Sequence, residues 1–106
     1  MVQPSLKLLE VLDTIREQYG HAITVTSGVR CPAYNAKVGG VVNSEHITGE
    51  GADLLVPNSL ERFYMIQAAL QAGITRIGVG ETFLHVGINP SMPQHIIWLY
   101  AHALHG

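Results

Sequence analysis

The sequence predicts an α+β domain in which two main helices pack on a small sheet. Two segments, one near the start and one near the middle of the chain, carry apolar residues at helical spacing. Short apolar runs divided by glycine and proline follow in the last third, a pattern typical of β-strands. The length of 106 residues allows one domain with a modest core.

The composition excludes several classes of function. The net charge is −2 and no basic stripe is present, which argues against a nucleic-acid or anionic-membrane partner. We expect neither a signal peptide nor a membrane span, because no apolar run has the required length and flanks. The single cysteine, Cys31, excludes an internal disulfide framework. We therefore expect a monomer with no nucleic-acid partner.

The first helix is predicted over Ser5 to Tyr19, with Pro4-Ser5 as its start and Gly20 as its stop. Its apolar residues recur at steps of three and four and predict a buried stripe. The stripe consists of Leu6, Leu9, Leu12 and Ile15, widened by Leu8 and Val11. The following segment, Ala22 to Thr26, alternates and is rich in β-branched residues, which predicts a strand.

The second helix is predicted to begin after Asn58, because Asn58 and Glu61 have the spacing of a capping box. It should end at Gly73. Its predicted buried residues are Leu60, Phe63, Ile66, Ala69 and Leu70. The segment before it, from Ala52 to Val56, is expected to be extended.

Three apolar runs in the last third predict strands: Arg76 to Val79, Phe83 to Ile88 and Ile96 to Tyr100. The third run is equally compatible with a short helix. Trp98, within that run, is most simply a core residue.

His46 and Asp53 flank a glycine-rich loop that leads into an apolar strand, and His85 lies in a later apolar run. Side chains on adjacent strands would converge, and zinc accepts histidine nitrogen and carboxylate oxygen. The same residues also have ordinary structural interpretations. A histidine in an apolar strand is often a hydrogen-bonded core residue, and an aspartate beside glycines is often a turn residue. Spacing alone leaves both interpretations open.

A longer pattern resembles a known family. It comprises S-G-V-R-C-P-A-Y-N (Ser27 to Asn35), V-G-G (Val38 to Gly40) and N-S-E-H-I-T-G-E-G-A-D-L (Asn43 to Leu54). These blocks resemble the zinc D-Ala-D-Ala carboxypeptidases and murein endopeptidases of peptidase family M15. The family motif Ser-x-His-x-x-Gly-x-Ala-x-Asp is matched at Ser44, His46, Gly49 and Asp53. Gly51 replaces the usual alanine, and the resemblance spans most of the chain.

The resemblance implies a Hedgehog/D,D-peptidase-like fold, a small antiparallel sheet with two main helices packed on it. It implies a Zn²⁺ ion held by His46, Asp53 and His85. Arg30 would clamp a substrate carboxylate, although it could instead be a solvated loop cation. Ser44 would hold the substrate or cap a turn.

The implied activity is hydrolysis of peptidoglycan stem peptides at or near D-alanine, by a D,D-carboxypeptidase or a murein endopeptidase. Phage and prophage lytic enzymes, including endolysins, belong to this group. The site of action would be the cell wall or periplasm.

The identity of the general base is the point at which the chain departs from the family. Many relatives carry an aspartate two residues after the last histidine, where this chain has Gly87. Glu81 is the predicted base, and Glu50 is a more distant candidate; both are also compatible with turn residues in solvent. If the loss at Gly87 abolishes catalysis, the alternative is a binding module of the same fold that retains zinc.

Overall fold

A five-stranded mixed sheet forms the centre of the fold in the computed structural model, which describes residues 4–27 and 45–100. In chain order the elements are α1 (Leu6–Tyr19), β1 (Val25–Ser27), α2 (Glu45–Thr48), β2 (Gly51–Leu55), α3 (Ser59–Gln71), β3 (Arg76–Val79), β4 (Phe83–Gly87) and β5 (Ile96–Leu99). The two long helices, α1 and α3, are those predicted from the sequence. The α+β class is therefore confirmed.

The strands lie in the order β1-β2-β4-β3-β5. All neighbouring strands are antiparallel except β3 and β5, which are parallel. The prediction of an antiparallel sheet was wrong at this edge, because β4 ends beside the start of β3 and residues 88–95 return the chain to that same end. Strand β5 therefore begins beside Arg76 and runs with β3. The third apolar run, left open between strand and helix, is a strand.

Helix α1 is capped as the sequence predicts. The Ser5 side chain accepts a hydrogen bond from the Leu8 backbone N–H at 3.0 Å. Gly20 ends the helix with φ of 82°, a left-handed conformation that glycine adopts without a Cβ penalty, and its N–H donates to the Arg16 carbonyl. Both ends of α1 thus follow from local chemistry.

Helix α3 also begins where predicted, since the Asn58 side chain accepts a hydrogen bond from the Glu61 N–H at 2.9 Å. This bond satisfies one of the backbone donors that a helix start leaves unpaired. Gly73, with φ of 89°, follows the last turn. The predicted stop is therefore confirmed to within two residues.

The predicted buried stripes of both helices were partly wrong. The buried helix residues are Leu8, Val11 and Ile15 of α1 and Met65, Ala68 and Ala69 of α3. Leu6, Leu60 and Phe63 are instead 74%, 62% and 62% exposed. Helix α3 contacts both α1 and β4, and the buried residues of α1 share one core with those of the sheet, so only the side of each helix that faces this core is covered. The small side chains of Ala68 and Ala69 allow α3 to pack closely against its neighbours, whereas Leu60 and Phe63 face outward.

The two faces of the sheet have different chemistry. Alternate residues of the central strands, including Leu54, Ile77 and Leu84, join the helices in one buried core. Their neighbours along each strand point to the opposite face, because side chains alternate along a strand. That opposite face carries Asp53 on β2 and His85 on β4.

Tyr19 and Glu61 join α1 to α3 through a hydrogen bond in which the tyrosine hydroxyl donates to the carboxylate. This bond, followed by burial and the charge of Glu61, raises the pKa of Tyr19 to about 12. Because the folded pKa lies above the ordinary value near 10, the bond contributes its full stability below about pH 10 and loses it as the pH rises towards 12.

We expect the Tyr19 ring carbon signals in NMR spectra to titrate near pH 12, and near pH 10 in Glu61→Gln. Glu17→Gln, on the same helix as Tyr19, serves as the control. Titration of Tyr19 near pH 10 in the wild type would contradict the expected bond.

Candidate functional site

Asp53 and His85 form a cross-strand pair at the centre of the sheet. They lie directly opposite each other in the antiparallel register of β2 and β4. Asp53 Oδ1 lies 3.0 Å from His85 Nδ1. Side chains of directly opposed residues lie on the same face, so the pairing itself brings the carboxylate and imidazole together. The two predicted site residues on strands therefore meet.

The other nitrogen of His85 contacts a residue that the sequence did not single out. His85 Nε2 donates a hydrogen bond to Glu45 Oε1 at 2.9 Å. Glu45 begins the short helix α2, a helical turn where the sequence predicted only a loop. The imidazole thus lies between two carboxylates, one at each ring nitrogen.

Glu45 is 2% exposed and its second oxygen is also paired. Oε2 accepts hydrogen bonds from Arg76 Nε at 3.1 Å and from the Asn89 backbone N–H at 3.0 Å. Arg76, the first residue of β3, is itself buried and also donates to the Pro93 carbonyl. A buried carboxylate is stable only when its oxygens are paired in this way.

Trp98 lies on this face of the sheet beside the ion pair. The Arg76 guanidinium carbon lies 5.1 Å from the centre of the Trp98 ring, and the His85 ring lies 5.6 Å from it. The prediction of Trp98 as a core residue was wrong, because β5 places it opposite Gly78 rather than towards the helices. The ring is only partly buried and forms a wall of the site.

The charges of the cluster support one another. Burial alone would raise the pKa of Glu45, but the hydrogen bonds from His85, Arg76 and Asn89 outweigh burial and hold that pKa below its usual range. Burial would likewise lower the pKa of His85, but the bonds and charges of Asp53 and Glu45 outweigh it and raise the pKa. The protein thus favours an ionised Glu45 and the protonated, cationic form of the His85 ring.

Two glycines leave the space that Glu45 occupies. A Cβ at Gly51 would lie 2.7 Å from Glu45 Cβ and 2.7 Å from His85 Cε1. A Cβ at Gly87 would overlap both carboxylate oxygens of Glu45. Both glycines therefore border the same side chain, that of Glu45.

Glu81, the predicted base, lies in the exposed turn between β3 and β4. Its backbone carbonyl accepts a hydrogen bond from Arg62 of α3 at 2.7 Å. Three residues separate it from His85 along the chain, so their Cα atoms lie at most about 13 Å apart. Its role stays a prediction.

The other predicted site residues fall elsewhere. Arg30 and Ser44 lie outside the described residues, as does the side chain of His46. Within residues 4–27 and 45–100, no three histidine, cysteine, aspartate or glutamate side chains are arranged to hold a metal ion together. The described part of the predicted ligand set is therefore the Asp53 and His85 pair.

The fold and site together define a small α+β domain whose sheet holds an imidazole between two carboxylates. The family described as Peptidase M15 matches residues 1–89 of the 106. The chain therefore belongs to the peptidase M15 family. No curated protein matches the sequence. None of the helices in the described ranges is long and apolar enough to cross a membrane.

Sequence reasoning missed Glu45 and Arg76 as parts of the site. Arg76 had a usable signal, because an arginine that opens an apolar strand needs a buried partner. Glu45 had no comparable signal, because the donors that pair its carboxylate come from distant parts of the chain.

Proposed function

We propose that the chain is a zinc-dependent peptidase that hydrolyses peptidoglycan peptide bonds at or near D-alanine. The observation that carries the proposal is the pairing of Asp53 with His85 in a chain of the M15 family. On this proposal the five-stranded sheet and two long helices represent the Hedgehog/D,D-peptidase-like fold.

The donor types suit zinc. Two ligand atoms of one tetrahedral zinc ion lie roughly 3.3 Å apart, given bonds near 2 Å. Asp53 Oδ1 and His85 Nδ1 lie 3.0 Å apart, so a small outward movement of these two atoms would make room for the ion. His85 Nε2 is already bound to Glu45, which leaves Nδ1 as the nitrogen for the metal.

Some of the proposed roles belong to residues that the structure describes, and others belong to residues outside the described ranges. Asp53, His85 and His46 would hold the ion. Zinc supplies a Lewis acid that polarises the scissile carbonyl and activates water. Arg30 would bind a substrate carboxylate through two parallel hydrogen bonds, and Ser44 would hold the peptide.

Glu81 would accept the proton of the attacking water as general base and return it to the leaving amine. The exposed turn that carries Glu81 would have to approach the substrate for this transfer. Glu50 is the competing candidate, since it lies in the loop between His46 and Asp53.

The proposal is tested by zinc content, measured by mass spectrometry on untagged protein, and by release of soluble peptides from purified murein. We expect about one zinc per chain in the wild type and neither zinc nor activity in His46→Ala. Glu81→Gln should retain its zinc and lose about 10²- to 10⁴-fold in rate, the usual contribution of a general base. Glu50→Gln is the matched acidic control.

Each outcome separates the alternatives. Loss of rate in Glu50→Gln with a normal Glu81→Gln would transfer the role of base to Glu50. Stoichiometric zinc without murein cleavage would favour the binding module. Wild-type protein that takes up no zinc would overturn the metal site.

A further inference from the structure

We infer that Glu45 is the positioning residue of the metal centre, and that glycines occupy positions 51 and 87 because its side chain needs their space. The inference rests on the proposed function, since it concerns the same site. It adds a residue outside the predicted ligand set and gives a physical reason for both glycines.

Glu45 is held more firmly than a side chain in a surface ion pair. Its two oxygens accept three hydrogen bonds, from His85, Arg76 and the Asn89 backbone, at 2.9 to 3.1 Å. These donors come from β4, from β3 and from the segment after β4. A carboxylate with donors on three sides and 2% exposure has one available position.

That position holds a proton on one nitrogen of His85. The hydrogen bond to Glu45 requires a proton on Nε2, because an ionised carboxylate only accepts. Nδ1 lies 3.0 Å from Asp53 Oδ1 and by the same argument carries a proton in the metal-free protein. A metal ion held by Asp53 and His85 would replace the proton on Nδ1, while Glu45 keeps the proton on Nε2. A partner on the second nitrogen that fixes the tautomer and the ring plane is what metal-bound histidines usually have.

The space for Glu45 comes from the absence of two side chains. An alanine at position 51 would press on Glu45 Cβ and on the His85 ring, and any side chain at position 87 would displace the Glu45 carboxylate. The carboxylate that fills this space beside β4 is carried by α2.

Glu45→Gln is the sharpest test, because glutamine keeps the volume but has only one acceptor oxygen. If that oxygen accepts from Arg76 and Asn89, the amide nitrogen faces His85 Nε2 as a donor. The favoured arrangement then removes the proton from Nε2 and keeps the one on Nδ1, where it blocks the metal. Analogous replacement of a carboxylate by its amide beside a catalytic histidine gives the wrong tautomer.

We would measure zinc dissociation constants by chelator competition and the His85 tautomer by ¹⁵N NMR, for wild type, Glu45→Gln and the exposed control Glu10→Gln. We expect zinc affinity to fall about 10- to 100-fold in Glu45→Gln and to stay unchanged in the control. In the zinc-free protein, Nε2 should carry a proton in the wild type and none in Glu45→Gln.

A second pair of variants tests the glycine. Gly87→Ala should weaken zinc binding about as much as Glu45→Ala does, whereas adding Gly87→Ala to Glu45→Ala should have little further effect. The reason is that the oxygens with which the new methyl group collides are then absent. Purely additive effects would overturn the explanation for Gly87.

Unchanged zinc affinity in Glu45→Gln, with the proton still on Nε2, would overturn the positioning role. Failure of Glu45→Gln to fold with or without zinc would make Glu45 a structural residue and overturn it equally. A wild type that binds no zinc would instead overturn the proposed function itself.

Discussion

Replacing Arg76 with methionine is expected to lower the free energy of unfolding by about 3–5 kcal/mol. Methionine keeps much of the buried volume but leaves the Glu45 carboxylate without its arginine partner, at a site that is 2% exposed. A buried charge that loses its partner retains the full penalty of leaving water. Chemical denaturation followed by circular dichroism measures the difference.

Two controls accompany this prediction. Arg16→Met breaks a similar contact on α1, between Arg16 and Asp13 at 2.8 Å, but both side chains are more than half exposed. We expect a much smaller loss of stability there, because water screens an exposed ion pair. The double variant Arg76→Met/Glu45→Gln should be less destabilised than Arg76→Met alone, since no unpaired charge remains. Equal effects at Arg16 and Arg76 would contradict the importance of burial.

Replacing Leu54 with alanine is expected to lower the free energy of unfolding by about 2–5 kcal/mol, because the change leaves a cavity in the core. Leu54 is 0% exposed and lies on the helix side of β2. The corresponding fall in the thermal midpoint should exceed about 10 °C in a domain of this size. Differential scanning calorimetry measures it.

The neighbouring residue provides the matched control. Leu55 follows Leu54 in the same strand but is 41% exposed. Leu55→Ala removes the same atoms and should change stability by less than about 1 kcal/mol. Similar losses at the two positions would contradict the assignment of the strand faces.

The side chains of the site are far apart in the sequence, so local patterns do not show that they meet. Asp53 and His85 are 32 residues apart, and Glu45 and His85 are 40 apart. Strand pairing brings the first two together, while α2 brings the third over the sheet. The imidazole between two carboxylates is therefore a product of the antiparallel register, in which Asp53 faces His85 and Gly51 faces Gly87.

The helix caps and the approximate positions of three strands could be predicted from the sequence. The caps of α1 at Ser5 and Gly20, and the cap of α3 at Asn58, depend on contacts within three or four residues. The approximate positions of β2, β3 and β4 followed from apolar alternation and flanking turns. Strand β1 was predicted too early, at Ala22 to Thr26 instead of Val25–Ser27, because its bounds depend on where β2 pairs with it.

Burial was less predictable. Helical spacing identified apolar residues on α3 but not which of them the sheet would cover. Phe63 lies outward and Ala68 lies inward, since a close contact between helix and sheet favours the small residue. Hydrophobicity is a property of a residue, whereas burial depends on the elements that surround it.

By itself, the sequence determined the α+β class, the two long helices and the family, and it predicted Asp53 and His85 as site residues. Only the tertiary structure decided that β5 runs parallel to β3 and that Glu45 fills the space beside Gly51 and Gly87. It also decided that Arg76 balances the charge of Glu45. These features depend on contacts between distant segments, because the free energy of a buried charge is set by the groups that the fold places around it.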